Sequence, residues 1–243
     1  NYAWKLAPSF LSLNASILKP SEFTSESAQR FVECFNSVGA PEFMVNLLHG
    51  GASTAQSLIS KKPDLISFTG SFDTGMKIKS ATSSYSPKLI LEMGGSNPII
   101  VCESADIKKA ATIIAESAIS NSGQRCASAS RLIVHDSISE EMMTLLEEKI
   151  TAMLDVNQRE TFSGCLVDIN AKNKHEDLLK KARTSGSIVL EFDYEKSSEG
   201  CYVNPAIVLR NPKNSEDTVE EVFSPILFAE NFETNQQLKC KLR

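Results

Sequence analysis

Short apolar runs alternate along the chain with segments in which apolar residues recur at helical spacing. The apolar runs predict strands at 15–18, 44–48, 65–68, 89–93, 99–101, 131–135, 188–192, 202–209 and 226–232. The helical periodicity predicts helices at 24–38, 52–60, through Ile78 and Ala81, at 106–120, 137–154 and 170–185. Strands that alternate with helices are typical of an α/β fold with a mainly parallel sheet.

Local signals mark the ends of several predicted elements. Thr24 and Asp106 are candidate helix N-caps, and Ser137 with Glu140 forms a capping-box pattern. An acidic turn is predicted at Glu216–Glu221, before the last strand. The pair Gly94-Gly95 predicts a hinge, which divides the chain into domains at 1–94 and 95–243.

Composition narrows the class of protein. The 243 residues are 42% hydrophobic and 23% charged, as in soluble globular proteins. A net charge of −5 without a basic block argues against a nucleic-acid partner or an anionic membrane surface, and no apolar run approaches the ~20 residues that span a bilayer. The start is not a signal peptide and already resembles the inside of a domain, so we expect a truncated chain.

The cysteines and histidines are scattered along the chain. The absence of a Cys-x-x-Cys pair predicts that the protein holds no zinc or other metal. In a chain of this size, six unpaired-looking cysteines indicate a reduced intracellular protein, and we predict a cytoplasmic one.

The candidate chemistry centres on the segment Leu89–Cys126. Glu92 interrupts an apolar run and is followed by two glycines, and Cys126 stands in a small, polar loop. Together these two residues are candidates for a thiolate nucleophile and a carboxylate base. Each has a structural alternative: Cys126 as a small buried hydrophobe, and Glu92 as a salt-bridge partner at a strand end.

Two further segments are candidates for a nucleotide-binding site. Strand, glycine turn and helix follow one another around Gly70, Ser71 and Gly75, as a phosphate-binding βα unit requires. An ordinary βα turn is the alternative, because the spacing matches neither the dinucleotide fingerprint nor the P-loop. Lys19 and Glu22 follow a strand and are candidates to hold ribose hydroxyls, with a solvated surface loop as the alternative.

Several motifs occur in order along the chain: Leu18–Glu22, Phe68–Ser71 with Gly75, Leu91–Gly95 with Asn97-Pro98, Gly123–Cys126, Gly200 with Tyr202 and Pro205, and Glu221–Pro225. Together they resemble the NAD(P)-dependent aldehyde dehydrogenase superfamily, from about Trp4 to Phe232. The resemblance implies an aldehyde-dehydrogenase-like α/β fold. Residues 1–94 would be part of a Rossmann-type NAD(P)-binding domain with a parallel sheet, and 95–243 part of an α/β catalytic domain.

The resemblance also implies the reaction. Cys126 would attack an aldehyde to form a thiohemiacetal, and hydride transfer to the nicotinamide would leave a thioester on Cys126. Glu92 would activate the water that hydrolyses this thioester, and its presence favours a free acid as the product over transfer to coenzyme A.

The cofactor implied by the resemblance is NAD or NADP. NAD is slightly preferred, because the carboxylate of Glu22 would repel a 2′-phosphate. The implied contacts are Lys19 and Glu22 at the adenosine ribose, Gly70, Ser71 and Gly75 at the pyrophosphate, Glu221 and Phe223 at the nicotinamide ribose and ring, and Trp4 in the substrate tunnel.

Family members are roughly twice as long as this chain and assemble as oligomers, so the resemblance implies a homo-oligomer for the full-length form. Leu13 and Ser224 stand where the family often has glycine, and Cys165 replaces the proline of a Gly-Pro-Leu stretch. A small-molecule aldehyde is the implied partner. The alternative function is a truncated or degenerate, non-catalytic homologue that acts in binding or assembly.

Overall fold

The computed structural model describes residues 2–154, 164–194, 199–209 and 221–241. The chain forms two compact units, Asn1–Gly94 and Gly95–Arg243. Most of the predicted acidic turn, Glu216–Glu221, lies outside the described residues. Among the residues that are described, no helix is both long enough and apolar enough to cross a bilayer.

The first unit alternates helices with short parallel strands. Its elements are α1 Tyr2–Leu11, β1 Ser16–Leu18, a 3-10 turn Glu22–Thr24, α2 Ser25–Ser37, β2 Val45–Leu47, α3 Ala52–Ser60, β3 Leu65–Gly70, α4 Phe72–Ala81 and β4 Lys88–Met93. Strand β1 pairs with β2 and β3 pairs with β4, both in parallel. Parallel neighbours need a crossover between them, and α2 and α4 supply it.

An apolar cluster joins α1, α2 and β2 in the first unit. Leu6, Val32 and Val45 are its buried members. Phe31 and Phe35 pack against them, with their ring centroids 5.5 Å apart in an edge-on arrangement. The helix predicted at 24–38 is therefore confirmed as α2, and its apolar face holds it beside the strand pair.

Helix α1 was not predicted from the sequence. Pro8 lies inside it, where a proline has no N–H to donate and crowds the preceding turn. Leu6, two residues earlier, is almost completely buried in the cluster. Apolar burial therefore outweighs the local cost of the proline.

The second unit is built on a five-stranded sheet. Its elements are β5 Asn97–Val101, α5 Ile107–Ile119, a 3-10 turn Ser120–Gly123, β6 Ala129–His135, a 3-10 turn Asp136–Ile138, α6 Ser139–Met153, α7 Ile169–Thr184, β7 Ile188–Glu191, β8 Ala206–Leu209, β9 Ile226–Phe232 and α8 Asn235–Lys241. The strand order is β5-β6-β9-β8-β7. All neighbours are parallel except β7, which runs antiparallel at the edge.

Both faces of this sheet are buried. Ile207 and Leu227 belong to an apolar cluster with residues of α5 and α6, whereas Val208 and Phe228 belong to a second cluster with residues of α7. Successive side chains of a strand point to opposite faces, so the two clusters cover the two sides of the sheet. Strands covered on both sides read as continuous apolar runs, which is why β9 was predicted over its full length.

A cluster of charges joins β6, β9 and α8. Glu230 accepts hydrogen bonds from Arg131 at 2.7 Å and from Lys241 at 2.9 Å. Arg131 also donates to the main-chain oxygen of Lys241 at 2.6 Å. Burial alone would raise the pKa of Glu230, but these hydrogen bonds outweigh it and lower the pKa.

The predicted helix caps had different outcomes. Asp106 caps α5 by accepting from the N–H of Lys109 at 3.1 Å, as predicted. The capping box of Ser137 and Glu140 is wrong, because α6 begins at Ser139 and the ring of His135 accepts from the N–H of Ser137 instead. A side chain at the end of the preceding strand thus takes the donor that the capping box needed.

Other local features also differ from the sequence prediction. Thr24 lies at the N-cap of α2 but its hydroxyl donates to Ser21, so it caps no helical N–H. The strand predicted at 202–209 is confined to β8, and α8 was not predicted because its residues are mostly polar.

Leu13 closes α1 in a left-handed conformation. The N–H of Leu13 donates to Phe10 and the N–H of Asn14 donates to Ser9, which together form a Schellman motif. Leu13 has a φ of 58° and is 82% exposed. A left-handed residue with a side chain costs about 1–2 kcal/mol, so glycine is the residue that usually stands here.

We expect Leu13→Gly to stabilise the first unit by about 1 kcal/mol, because it removes the left-handed strain and loses an exposed side chain. Urea unfolding measures the change. Gly39, with a φ of 78° at the end of α2, makes the same pair of hydrogen bonds, so Gly39→Leu is the matched control and should destabilise. Equal stabilities of Leu13→Gly and the unchanged chain would contradict the strain at Leu13.

Candidate active site

Lys19 and Glu22 lie at the carboxyl ends of β1 and β2. The ammonium of Lys19 donates to the main-chain oxygens of Pro20 and Gly50, both at 2.7 Å. A Cβ added to Gly51 would lie 2.9 Å from the Glu22 carboxylate, so the two are in close approach. The structure therefore brings Lys19 and Glu22 to one glycine turn, at the strand edge where α/β sheets bind ligands.

The turn between β3 and α4 carries Gly70, Ser71 and Gly75. Ser71 caps α4 by accepting from the N–H of Thr74 at 3.4 Å. A Cβ on Gly75 would lie 2.5 Å from the sulfur of Met93 on β4, so glycine at this position lets the helix approach the strand. A strand, a tight turn and a closely packed helix N-terminus are the geometry that accepts a phosphate.

Glu92 lies on β4, opposite Thr69 of β3 in the strand register. It has no ion-pair partner within 4 Å among the described residues, so the salt-bridge alternative is not supported. Lys5 of α1 lies close enough to Glu92 to feel its charge and donates to Ser67 of β3 at 2.7 Å. Burial lowers the pKa of Lys5, and the carboxylate of Glu92 offsets part of the change. The preceding residue, Trp4, is 87% exposed.

Cys126 follows a left-handed turn. Asn121, Ser122 and Gly123 have φ values of 56°, 54° and 67°, and two of these three residues are not glycine. Such strain persists only where the surroundings hold it, and it is common at functional sites. Cys126 itself is exposed, so it is not the buried hydrophobe of the structural alternative.

The side chain of Asn97 holds the backbone around the thiol. Its amide donates to the main-chain oxygen of Cys126 at 2.7 Å and to that of Ser128 at 2.9 Å. Asn97 stands at the start of β5, and the loop is thereby fastened to the sheet. The carbonyl of Cys126 points to Asn97, which fixes the orientation of the residue.

The left-handed turn is also fastened to the segment 164–167. The buried hydroxyl of Ser122 donates to the oxygen of Gly164 at 2.7 Å and accepts from its N–H at 3.0 Å. Gln124 donates to Cys165 at 3.1 Å and accepts from the N–H of Val167 at 2.8 Å. These four side-chain hydrogen bonds hold the turn against this segment.

Glu221 has a partly buried carboxylate. Its Oε1 atom is shielded from water and has no hydrogen-bond partner among the described residues. Burial raises the pKa of Glu221, while a hydrogen bond from the Gly95 N–H and the charge of Lys174 offset part of the rise. A shielded oxygen without a donor is expected where a ligand hydroxyl binds.

The residues after Glu221 pack directly on the turn that precedes Cys126. Phe223 has a φ of 50° and is 42% exposed. A Cβ on Gly123 would lie 2.4 Å from the main-chain oxygen of Ser224. The turn 121–123 before Cys126, called the thiol turn below, is therefore in backbone contact with the segment 221–225, although the two are far apart in sequence.

Each unit thus brings part of the predicted site together. The first unit gathers Lys19 with Glu22, and separately the β3–α4 turn with Glu92 on the adjoining strand. The second unit gathers the turn of Cys126 with Glu221 and Phe223. A surface depression of about 500 Å³ at α8, lined by residues such as Cys240 and Lys241, contains none of the predicted residues.

Sequence reasoning assigned no role to three groups of polar residues: Lys5, the loop contacts Asn97 and Ser122, and Lys174 with its neighbour His175. The signal for Lys5 was a single cation in the apolar stretch around Trp4. The others have partners distant in sequence, such as Ser122 and Gly164. No group of three potential metal ligands occurs among the described residues, and the prediction of no metal stays a prediction.

We expect Ser122→Ala to destabilise the second unit by about 2 kcal/mol, because it removes the two hydrogen bonds that the buried hydroxyl of Ser122 makes with Gly164. Ser122→Gly should cost less, since glycine adopts the left-handed backbone without strain. Urea unfolding followed by circular dichroism measures both. Ser60→Ala, which removes an exposed hydroxyl bonded to Ser57 at 2.7 Å, is the control. A loss at Ser122 no larger than at Ser60 would contradict the role of this hydroxyl.

We expect Glu221→Gln to raise the thermal stability at neutral pH. A raised folded pKa means that the contribution of Glu221 to stability is present below the ordinary glutamate pKa and is lost as the pH rises through the raised value. Glutamine mimics the neutral carboxyl, so the difference in Tm between variant and unchanged chain should grow from acidic to neutral pH.

Glu33→Gln is the control, because the pKa of Glu33 is shifted in the opposite direction to that of Glu221. A hydrogen bond from Gln29 is the main cause that lowers the pKa of Glu33, so glutamine there should not stabilise at neutral pH. A Tm difference for Glu221→Gln that does not vary with pH would contradict the raised pKa.

Comparisons with known proteins agree with this geometry. The sequence profile of the aldehyde dehydrogenase family matches residues 1–240. A peroxisomal aminoaldehyde dehydrogenase of Pisum sativum is 32% identical over 242 residues, a match that covers 96% of this chain and 48% of that protein. A D-glyceraldehyde dehydrogenase (NADP(+)) of Picrophilus torridus is 33% identical over 241 residues, which covers 96% of this chain and 49% of that protein.

Solved structures give the same result. A betaine aldehyde dehydrogenase from Staphylococcus aureus in complex with NAD+ superposes with a TM-score of 0.87 and 27% identity, over 96% of this chain and 48% of that chain. An indole-3-acetaldehyde dehydrogenase from P. syringae, also bound to NAD+, gives a TM-score of 0.89 and 27% identity, over 97% and 49%. The chain spans about half the length of the relatives it matches, and its predicted α/β fold is confirmed. This chain belongs to the aldehyde dehydrogenase family.

Proposed function

We propose that this chain carries the thiol nucleophile and the cofactor-binding residues of an NAD(P)-dependent aldehyde dehydrogenase. The observation that carries the proposal is the setting of Cys126, an exposed thiol on a strained turn that packs against the segment of Glu221. The domains follow the two units, with 1–94 contributing to cofactor binding and 95–243 to catalysis.

In the proposed reaction the thiolate of Cys126 attacks the carbonyl carbon of an aldehyde and forms a thiohemiacetal. NAD(P), when bound, supplies the hydride acceptor for this oxidation. Expulsion of hydride from the thiohemiacetal carbon leaves a thioester on Cys126. Glu92 takes a proton from water, the hydroxide oxygen displaces the thiolate, and a carboxylic acid leaves.

Two groups of described residues, one in each unit, support a dinucleotide as the cofactor. The shielded Oε1 of Glu221 lacks a donor among the described residues, and a ribose hydroxyl would provide one. The β3–α4 turn with Gly70, Ser71 and Gly75 would hold the pyrophosphate at a helix N-terminus. Lys19 has a third N–H besides its two bonds to main-chain oxygens, and this donor can reach a ribose hydroxyl.

Other contacts complete the proposed cofactor site. Glu22 would accept from the adenosine ribose, and Phe223 would contact the nicotinamide ring. A carboxylate at Glu22 favours NAD slightly over NADP, because it would repel a 2′-phosphate. Relatives of both kinds exist, since the Picrophilus torridus enzyme is named for NADP(+) and the Staphylococcus aureus structure contains NAD+.

The proposed substrate is a small-molecule aldehyde, with Trp4 lining its approach. Betaine aldehyde, aminoaldehydes and D-glyceraldehyde are the substrates for which the matched relatives are named. We further propose a homo-oligomer for the full-length form and no nucleic-acid partner. Relatives in peroxisomes and chloroplasts leave the cytoplasmic location a prediction.

The alternative of a non-catalytic binding or assembly protein is not favoured. The matched relatives are named as dehydrogenases, and the thiol, the carboxylate and the glycines of the β3–α4 turn are retained in this chain.

We expect the chain to form NADH from an aldehyde panel and NAD, and Cys126→Ala to abolish the product because the nucleophile is removed. Glu92→Gln should still release roughly one NADH per chain and then stop, because acylation proceeds while hydrolysis of the thioester fails. Stopped-flow absorbance of NADH measures both. Cys165→Ala, which removes another exposed thiol, is the control. Turnover by Cys126→Ala equal to that of the unchanged chain would refute the proposal.

A second measurement does not depend on turnover. Iodoacetamide should label Cys126 faster than any other thiol, and NAD should protect it. Exposure alone would not produce this order, because Cys34, Cys102, Cys165 and Cys240 are exposed as well. Equal labelling of all six thiols in the folded chain would contradict the role of Cys126 as the nucleophile.

A further inference from the structure

His175 is a buried histidine that the proposed reaction does not use. It lies on α7 and is 2% exposed, on the same helix face as Leu179 and Ala182. Its Nδ1 lies 3.1 Å from the hydroxyl of Ser224, which is 6% exposed. A polar pair buried beside an apolar cluster is costly unless both members are bonded, so this bond ties α7 to the segment of Glu221.

Two consecutive residues of α7 hold this segment on both sides of its strained residue. Lys174 donates to the main-chain oxygen of Glu221 at 2.7 Å, and His175 bonds Ser224. Phe223, between these anchor points, has a φ of 50°. A left-handed aromatic residue costs about 1–2 kcal/mol and persists only where its neighbours fix it. The two contacts from α7 supply that constraint.

Ser224 transmits the position of this segment to the thiol turn. Its main-chain oxygen occupies the space that a Cβ on Gly123 would need, and the same oxygen accepts from the N–H of Ile226 at 2.8 Å. A shift of Ser224 therefore has to move the turn before Cys126 or open a gap behind it. The hydroxyl that His175 bonds is present because serine stands where the related motif usually has glycine.

We propose that His175 and Ser224 form a positioning pair, which fixes the left-handed residue Phe223 and thereby sets the orientation of Glu221 and the turn that carries Cys126. The part that concerns Glu221 and the cofactor rests on the proposed function. The part that concerns the turn of Cys126 depends only on contacts within the second unit.

A double-mutant cycle on the reactivity of Cys126 tests the pair without cofactor. The variants are His175→Leu, Ser224→Ala and the double variant, and the measurement is the rate constant of Cys126 with iodoacetamide, read by peptide mass spectrometry. Each single variant should change this rate at least about threefold and in the same direction, as expected for a lost buried hydrogen bond. The double variant should stay within about twofold of either single one, because the shared bond is lost only once.

Conservative and matched variants separate positioning from general loss of structure. His175→Asn keeps a hydrogen-bonding atom near the place of Nδ1 and should restore the rate to within about twofold of the unchanged chain. His135→Leu is the matched control, because the Nδ1 of His135 lies 2.8 Å from the hydroxyl of Ser137 at the far end of β6. That variant should leave the rate of Cys126 unchanged, and Cys34 in the first unit is the reference thiol in every sample.

Several results would overturn the pair. They are an unchanged Cys126 rate in both folded single variants, multiplicative effects in the double variant, or an equal effect of His135→Leu. If His175→Leu does not fold, Ser224→Ala, which deletes one oxygen atom, decides the question with His175→Asn.

Binding of NAD and of AMP, measured by calorimetry, tests the part that concerns the cofactor. We expect Ser224→Ala to weaken the binding of NAD about fivefold, which corresponds to the loss of one hydrogen bond. The affinity for AMP should stay within about twofold of that of the unchanged chain, because AMP lacks the nicotinamide half. An equal loss of affinity for both ligands would contradict the proposal that the pair sets the orientation of Glu221. If the unchanged chain binds neither ligand, the proposed function fails, while the alkylation cycle still decides the pair.

Discussion

The close backbone approach between Gly123 and Ser224 is the constraint on which the second unit depends. Any side chain at Gly123 would overlap the main-chain oxygen of Ser224, at 2.4 Å for its first carbon. Both partners of this contact lie beside left-handed residues, Ser122 on one side and Phe223 on the other. The site is therefore built from two strained turns that meet at their main chains, and neither can relax without displacing the other.

Polar side chains without a proposed part in the reaction keep these turns in place. Ser122 and Gln124 fasten one turn to the segment 164–167, and Asn97 fastens the thiol loop to β5. Helix α7 fastens the other turn. Since each of these groups is bonded to main-chain atoms or to a buried partner, their hydrogen bonds offset the strain of the left-handed residues Ser122 and Phe223. The first unit follows a simpler rule, because its polar residues gather where parallel strands end.

The sequence pattern predicted those parts of the fold that depend on apolar burial at regular spacing. Helix α3 was predicted to the residue and β9 over its whole length, because both carry their signal within a short window. The residues proposed for the site were also named from the sequence, and their roles stay predictions. What escaped prediction were contacts between distant positions, such as Ser122 with Gly164 and His175 with Ser224, which are 42 and 49 residues apart. No local signal marks such a pair. Helix α1 also escaped prediction, and there the burial of Leu6 outweighs the local cost of Pro8.

The sheet of the second unit, apolar on both faces, has a consequence for strand register. In a sheet with one solvent-exposed face, a shift of the register by one residue exposes the apolar side chains to water. The free-energy cost of this exposure selects the register. Here a slip of β9 would exchange one apolar face for another, so polarity alone would discriminate little between alignments. The charges of Arg131 and Glu230 meet across β6 and β9 at 2.7 Å only in the observed alignment. A buried ion pair adds little net stability, but it distinguishes one strand register from the neighbouring ones. In this sheet the ion pair therefore specifies the register of β6 and β9.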